Sequence, residues 1–208
     1  LAQKVADILL EDRLAPVAQA VSTSNHPALP GDWWSAETGL VYSIRDDDGT
    51  LKLAFCGAPA GVAIRPTAHG RALVSIGSIG DIELDLAAAC EVKALPIRFG
   101  GRSAAYRKLT PAAADAAAFG RFAAGRYQSG DADCTADIGV AGDRITLAMR
   151  DGIGGWCANL TPLSDRVAIV ATQLAGLPYS AALTVSDDGF RLETQRTRQL
   201  AFQRIAAG

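Results

Sequence analysis

The feature that most constrains this chain of 208 residues is an internal repeat. Gly31-Asp32-Trp33-Trp34 precedes an apolar run, a glycine-containing turn and an alternating run, and Gly125-Arg126-Tyr127-Gln128 precedes the same succession in the second half. The two copies also end alike, in Ala105-Tyr106-Arg107-Lys108-Leu109 and Ala201-Phe202-Gln203-Arg204-Ile205. A unit whose beginning and end both recur is typical of a domain, so the sequence predicts two copies of one small β domain.

Short strand-like runs, separated by turn sequences, fill both copies. Apolar residues alternate with acidic ones in the run 81–86, which is typical of a strand with one buried and one solvated face. Hairpin turns such as Asp187-Asp188-Gly189 recur at short intervals and indicate an antiparallel meander. A meander avoids exposed edges most simply when its first and last strands pair, so the matching ends of each copy predict a closed barrel. The predicted fold class is all-β.

The repeat divides the chain into four segments. Residues 1–30 are predicted to contain an N-terminal amphipathic helix, ended by Pro16, and then a linker. Such a helix is either the last piece of a preceding domain or a lid that packs on its own barrel. The remaining segments are a first β-barrel at residues 31–109, a connector with a short helix at 110–124 and a second β-barrel at 125–208.

The charge balance excludes some classes of partner. The chain has 20 basic and 22 acidic residues spread along its length, so we expect neither nucleic acid nor an anionic membrane surface to bind it. No apolar run approaches the about 20 residues of a membrane helix, and the first residues lack the n-region, h-region and cleavage-site pattern of a signal peptide. The four cysteines lack Cys-x-x-Cys spacing, which predicts free thiols in a reducing cytoplasm; one disulfide in each half, with a periplasmic location, is the alternative.

The sequence predicts no catalytic, cofactor or metal site in this chain. Its two histidines, His26 and His69, lie in a linker and a turn, and neither belongs to a metal-binding motif. The Gly-x-Ser-x-Gly and Ser-x-x-Lys motifs of serine hydrolases are both absent. Gly152-Ile153-Gly154-Gly155 lacks the third glycine of a dinucleotide-binding fingerprint and is interpreted as a hairpin loop. Any activity is therefore expected to come from another part of a longer polypeptide, or not at all.

Each copy opens with glycine, any residue and an aromatic residue. Gly31-x-Trp33 and Gly125-x-Tyr127 resemble the Gly-x-Trp that opens lipocalin (calycin-like) barrels, where the aromatic side chain closes the barrel floor and a basic residue of the last strand covers it. Trp33 and Tyr127 are the predicted plugs, and Arg107 and Arg204 are their predicted cation–π partners. Barrels of this kind can hold an apolar ligand, but two short barrels are expected to fill their interiors with their own side chains.

The opening motifs also resemble those of a family of larger enzymes. Trp33-Trp34 with Glu37-Thr38-Gly39-Leu40-Val41, the second opening 125–129, and an aromatic–basic last strand are similar to the two C-terminal domains of bacterial D-aminopeptidase, a penicillin-recognising serine hydrolase. The resemblance implies two tandem antiparallel eight-stranded barrels that follow a β-lactamase-like catalytic domain. Residues 1–14 would be the last helix of that domain, which would lie N-terminal to Leu1 in the same polypeptide.

The resemblance carries no catalytic residue into this chain. In the family, the Ser-x-x-Lys, Tyr-x-Asn and His-x-Gly motifs belong to the catalytic domain, and none of the three occurs here. The resemblance therefore implies that this chain is not an enzyme by itself. It would be the accessory, regulatory part of a serine hydrolase, without a cofactor, that packs on the catalytic domain.

The family also has a loop of the last barrel that reaches the entrance of the active site. The corresponding segment here lies between two predicted strands, is shorter, and supplies a candidate gating loop that would favour small N-terminal D-residues. Its candidate residues are Gln173, Leu174, Leu177, Pro178 and Tyr179. An ordinary hairpin loop is the equal alternative. For the whole chain, two other functions stay open: a stand-alone barrel that binds a small apolar ligand, and a structural module that forms a homodimer.

Overall fold

The computed structural model describes residues 21–22, 25–67, 69–77, 80–92, 94–110, 116–174, 176–194 and 197–205. The predicted N-terminal helix lies outside these described residues. Within them the chain forms seventeen strands and two short helices, so the predicted all-β class is confirmed. No helix in the described part of the chain has both the length and the apolar character needed to cross a membrane.

The first copy forms a sheet of nine antiparallel strands that curves around its own core. Its elements are β1 (Gly31–Trp34), β2 (Val41–Asp47), β3 (Thr50–Phe55), β4 (Val62–Ala63), β5 (Arg65–Pro66), β6 (Arg71–Ile76), β7 (Gly80–Asp85), α1 (Leu86–Val92), β8 (Ala94–Phe99) and β9 (Arg102–Lys108). Neighbours in the sheet follow the order β4-β3-β2-β1-β9-β8-β7-β6-β5. First and last strands pair as predicted, with Trp33 opposite Lys108.

The strand number of the first copy differs from the predicted eight. Strands β4 and β5 stand at the two ends of the sheet, yet only Ile64 separates them in sequence. The Ile64 N–H donates to the Leu51 carbonyl (2.9 Å) and its carbonyl accepts from the Val21 N–H (2.7 Å), while its side chain is fully buried. One wall strand of the barrel is therefore divided into two at Ile64, because this residue turns its backbone to different partners.

The second copy forms a closed barrel of eight strands, as predicted. Its elements are α2 (Ala116–Ala123), β10 (Gly125–Ser129), β11 (Cys134–Ala141), β12 (Arg144–Arg150), β13 (Gly155–Pro162), β14 (Val167–Leu174), β15 (Leu177–Val185), β16 (Gly189–Glu193) and β17 (Leu200–Ile205). Strands β10 and β17 pair and close the barrel, with Tyr127 opposite Arg204. Helix α2 packs on this barrel, where Phe119 and Ala123 are fully buried.

A third apolar cluster joins the two barrels to each other. This junction cluster consists of Trp34, Val41, Cys56, Leu109, Val167 and Ala182. The Trp34 indole N–H also donates a hydrogen bond across the junction to Thr184 Oγ1, at 3.2 Å. Successive side chains of a strand point to opposite faces, so Trp33 enters the barrel core while Trp34 enters the junction. The tryptophan pair of the opening motif thus serves two different interfaces.

Candidate functional site

The floor of the first barrel is built from its opening motif. Trp33 is buried, and its indole N–H donates to the Leu29 carbonyl, four residues upstream, at 2.9 Å. Lys108 Nζ lies 5.8 Å from the centre of the Trp33 ring and donates to the Ala28 carbonyl at 2.7 Å. Gly31 has a φ of +136°, and a Cβ at this position would lie 2.6 Å from Lys108 Cε. Glycine therefore suits both the positive φ and the path of the lysine side chain across the backbone here.

The floor of the second barrel repeats this arrangement. The Tyr127 hydroxyl donates to the Ala123 carbonyl, again four residues upstream. Arg204 lies 4.9 Å from the centre of the Tyr127 ring and donates to the Ala124 carbonyl at 2.7 Å. Gly125 has a φ of +150°, and a Cβ there would lie 2.6 Å from Arg204 Nη1. Burial raises the pKa of Tyr127, so its hydroxyl remains a hydrogen-bond donor at neutral pH.

Arg107 contacts Trp34 instead of its predicted partner, Trp33. Its guanidinium stacks 4.6 Å from the Trp34 ring, on the face of β9 opposite to Tyr106, and Lys108 covers Trp33 in its place. The reason is the two-residue period of a strand, which puts Tyr106 and Lys108 on one face and Arg107 on the other. The repeat contained this information, because aligning the two last strands pairs Lys108, not Arg107, with Arg204.

The opposite end of the first barrel contains a cavity of about 280 Å³, the mouth cavity. It lies where the β1–β2 loop and the β8–β9 hairpin meet, away from the segment that precedes β1. Its buried walls are apolar and aromatic, and its exposed rim is polar and charged. The buried residues are Leu40, Tyr42, Ile97 and Tyr106; the exposed residues are Glu37, Arg102, Ser103, Arg198 and Gln199.

Two tyrosines supply the hydroxyl groups of the mouth cavity. The ring centres of Tyr42 and Tyr106 are 5.2 Å apart, and the Tyr106 hydroxyl lies 3.1 Å from Thr38 Oγ1. Burial, followed by the proximity of Tyr106, raises the pKa of Tyr42, and burial likewise raises the pKa of Tyr106. Both phenols are therefore neutral at physiological pH and can donate hydrogen bonds to a bound molecule.

The second barrel contributes part of the rim of the mouth cavity. Arg198 and Gln199 belong to the connection between β16 and β17, and the Gln199 N–H donates to Glu193 Oε2 at 2.7 Å. Glu193 itself is 1% exposed, beneath the β1–β2 loop of the first barrel. A Cβ at Gly39 of that loop would lie 2.6 Å from Glu193 Cγ, which shows how closely the two barrels approach at this point.

The carboxyl group of Glu193 is buried but only partly hydrogen-bonded. Its Oε1 has no hydrogen-bond partner in the described part of the chain. Burial raises the pKa of Glu193, although the Gln199 N–H and the charges of Arg198 and Arg191 oppose the rise. A buried carboxyl group with one free oxygen favours its protonated form more than an exposed one does.

The candidate gating residues lie within strands rather than in a loop. Leu174 ends β14 and Leu177 begins β15, and the pairs Gln173–Pro178 and Leu174–Leu177 continue the ladder. The strands extend this far because Gly176, with a φ of +78°, allows a two-residue connection. Ala175 lies outside the described residues. Leu177 is 70% exposed at the tip, whereas Tyr179 packs on Trp156 with ring centres 5.6 Å apart.

Neither a metal site nor a disulfide emerges from the described residues. They contain no group of three histidine, cysteine or acidic side chains placed to hold a metal ion. Cys56, Cys134 and Cys157 are free thiols, and burial raises the pKa of Cys56 to about 12. Comparison of the chain with known protein families and with curated protein sequences gives no match.

Proposed function

We propose that this chain is the non-catalytic barrel region of a D-aminopeptidase-like serine hydrolase, which packs on the catalytic domain and limits access to its active site. The sequence resemblance implied two tandem antiparallel barrels, and the described residues contain two barrels joined by the junction cluster. This joint is the observation that supports the proposal, because an accessory region can direct a loop at a neighbouring domain only if its own parts are fixed. The lipocalin-like class of both barrels is part of the proposal and is supported by their matching floors.

The proposed gate is the tip of the β14–β15 hairpin. Leu177 is its exposed apolar residue, and the Tyr179–Trp156 contact holds the base of the hairpin on the barrel. A short, anchored hairpin of this kind narrows an entrance without moving, so it would select small substrates by exclusion.

The test uses the isolated 208-residue chain and the full polypeptide that contains it, assayed on D-alanine amide. We expect hydrolysis by the full polypeptide alone. Activity of the isolated chain contradicts the proposal, and so does a full polypeptide without a Ser-x-x-Lys motif. Light scattering of both samples tests the homodimer alternative. In that alternative the isolated 208-residue chain has twice the mass of its monomer in solution.

The mouth cavity favours a second function, the binding of a small ligand by the first barrel. Its buried walls are apolar and aromatic, and its rim combines charged groups from both barrels. Sites for small molecules have this combination of apolar surface and a few polar groups. The measurement that tests it is a titration of the chain with small aromatic compounds, followed by ligand-observed NMR. Absence of saturable binding contradicts this second function and leaves the hydrolase proposal unaffected.

A further inference from the structure

We propose that the mouth cavity binds a small monoanionic carboxylate with an apolar or aromatic body, and that Arg198 of the second barrel holds its carboxylate group. The proposal rests on the second function above and does not depend on the hydrolase assignment. Three observations lead to it: the space that remains in the first barrel, the charges around its rim, and the way in which the second barrel positions Arg198.

The space exists because one strand of the first barrel carries a small residue. In the second barrel Leu192 and Leu200 face each other across β16 and β17. The matching pair of the first barrel is Ile97 and Ala104, so a leucine is replaced by alanine where the cavity opens. The volume of about 280 Å³ lies just below the roughly 300 Å³ at which sites for drug-sized molecules begin. The ligand is therefore small.

The rim has an excess of positive charge. Arg102 and Arg198 both line the cavity, and Glu37 is the one acidic residue of that lining; Glu193, on which the charge of Arg198 also acts, is buried beneath the rim and has a raised pKa. No ion pair joins any of the three charged lining side chains to another described residue. A guanidinium group presents two parallel N–H donors that match a carboxylate, so both arginines are available to a ligand. Glu37 on the same rim disfavours a dianion such as a phosphate monoester.

The apolar walls define the rest of the ligand. Tyr42 and Tyr106 present rings and neutral hydroxyl groups, and Leu40 and Ile97 present aliphatic surface. An aromatic or branched aliphatic group gains contact with these walls when it leaves water. A molecule with such a group at one end and a carboxylate at the other matches both the interior and the rim.

Arg198 is held in place by contacts that the second barrel supplies. The next residue, Gln199, donates its N–H to the buried Glu193, and the Thr197 N–H donates to Thr194 Oγ1 at 2.7 Å. The segment 197–199 is thereby fixed at the rim of the other barrel. The site is complete only when the two barrels are joined, which distinguishes it from the interior site of a single barrel.

The probe for this proposal is 3-phenylpropionate, and its uncharged analogue is 3-phenylpropanamide. Both are titrated into the full chain at low ionic strength by calorimetry or ligand-observed NMR. We expect the carboxylate to bind at least about tenfold more tightly than the amide. R198Q should lower the affinity for the carboxylate about tenfold, which corresponds to about 1.4 kcal/mol, and should leave the affinity for the amide unchanged.

A second pair of variants locates the binding site. A104L introduces into the lining of the cavity the leucine that occupies the matching position of the second barrel, so binding of both probes should be lost while the melting temperature stays within a few degrees. A105L changes the neighbouring residue, whose exposed side chain lies on the other face of β9, and should bind as the unchanged chain does. Equal affinity for the two probes overturns the carboxylate proposal but keeps ligand binding. Binding that survives A104L, or no binding at all, overturns the proposal as a whole.

Discussion

In both barrels an aromatic side chain of the first strand donates to a carbonyl four residues upstream, while a cation of the last strand covers its ring and bonds to the same upstream segment. At the other end the barrels differ. In the second, Trp156 and Tyr179 contact each other and pack against the barrel core, whereas the first contains the mouth cavity. A shared floor closes and stabilises each barrel, so the differences that can carry a specific function are at the opposite ends.

The core next to the floor shows how the two barrels use the same register differently. Phe190 and Phe202 face each other across β16 and β17, and their rings stack with centres 4.4 Å apart. At the matching register of the first barrel, Leu95 faces Tyr106. The first barrel thus replaces an aromatic stack by one aliphatic side chain and a phenol, which places a hydroxyl group close to its cavity.

The largest expected effect comes from removing a floor plug. Trp33→Ala and Tyr127→Ala each delete a large buried ring, so each should lower the free energy of unfolding by about 3 to 5 kcal/mol. Urea denaturation followed by circular dichroism measures the loss. Tyr127→Phe keeps the ring and removes only the hydrogen bond to Ala123, which should cost about 1 kcal/mol. If only one of the two alanine variants loses less than about 1 kcal/mol, the two floors do not contribute equally to stability.

A second experiment tests why both motifs begin with glycine. Gly125→Ala introduces a Cβ into the path of Arg204 at a positive φ, and we expect a loss of about 2 kcal/mol or more. Gly142 is a matched control, because it also has a positive φ, +61°, but a Cβ added there would meet no atom within 4 Å. Gly142→Ala should cost about 1 kcal/mol from backbone strain alone. Equal losses in urea denaturation would mean that neither the arginine nor the different φ of Gly125 adds to the cost.

The gate prediction concerns the end at which the barrels differ. Leu177→Asp in the full polypeptide should change the ratio of kcat/KM for D-alanine amide to that for a longer D-alanyl peptide about threefold or more, because it alters the exposed tip of the hairpin. Ile153→Asp is the control, since Ile153 is fully exposed on a different hairpin. An unchanged ratio, or the same change in both variants, assigns the hairpin no gating role.

The sequence was sufficient for the floors and insufficient for the mouth cavity. The Gly-x-aromatic motifs and the matching last strands are local patterns, and their physical roles follow from strand pairing. The prediction that Arg107 covers Trp33 was wrong, because the two-residue period of a strand places Lys108 on the face of Trp33 and Arg107 on the face of Trp34. Arg198 could not be assigned to the site, since it reaches the first barrel only through packing between domains. The same packing buries Glu193, which strand alternation alone would place on a solvated surface.

Glu193 supplies a pH dependence that reports on this packing. Its pKa is raised in the folded chain, so its contribution to stability is fully present below the unfolded pKa, near 4.5, and is lost as the pH rises through the folded pKa. Glu193→Gln should therefore stabilise the chain at neutral pH relative to the parent and lose this advantage in acid. Thermal melts from pH 4 to pH 8 measure the difference. The exposed Asp81→Asn controls for the loss of one negative charge, and a parallel pH profile for both variants would contradict the assignment.

The smallest expected effect is a difference in thiol reactivity between the junction and the outer wall of the second barrel. Cys157 is exposed, whereas Cys56 is fully buried in the junction cluster with a pKa of about 12. Iodoacetamide at pH 8 should therefore modify Cys157 within minutes and leave Cys56 unmodified until the chain unfolds, because the thiolate is the reactive species. Peptide mass spectrometry at timed intervals assigns each site.

Trp34→Ala opens the junction beside Cys56, so this variant should expose the thiol without unfolding either barrel. If Cys56 reacts only together with global unfolding in both proteins, the two barrels and their junction form one cooperative unit.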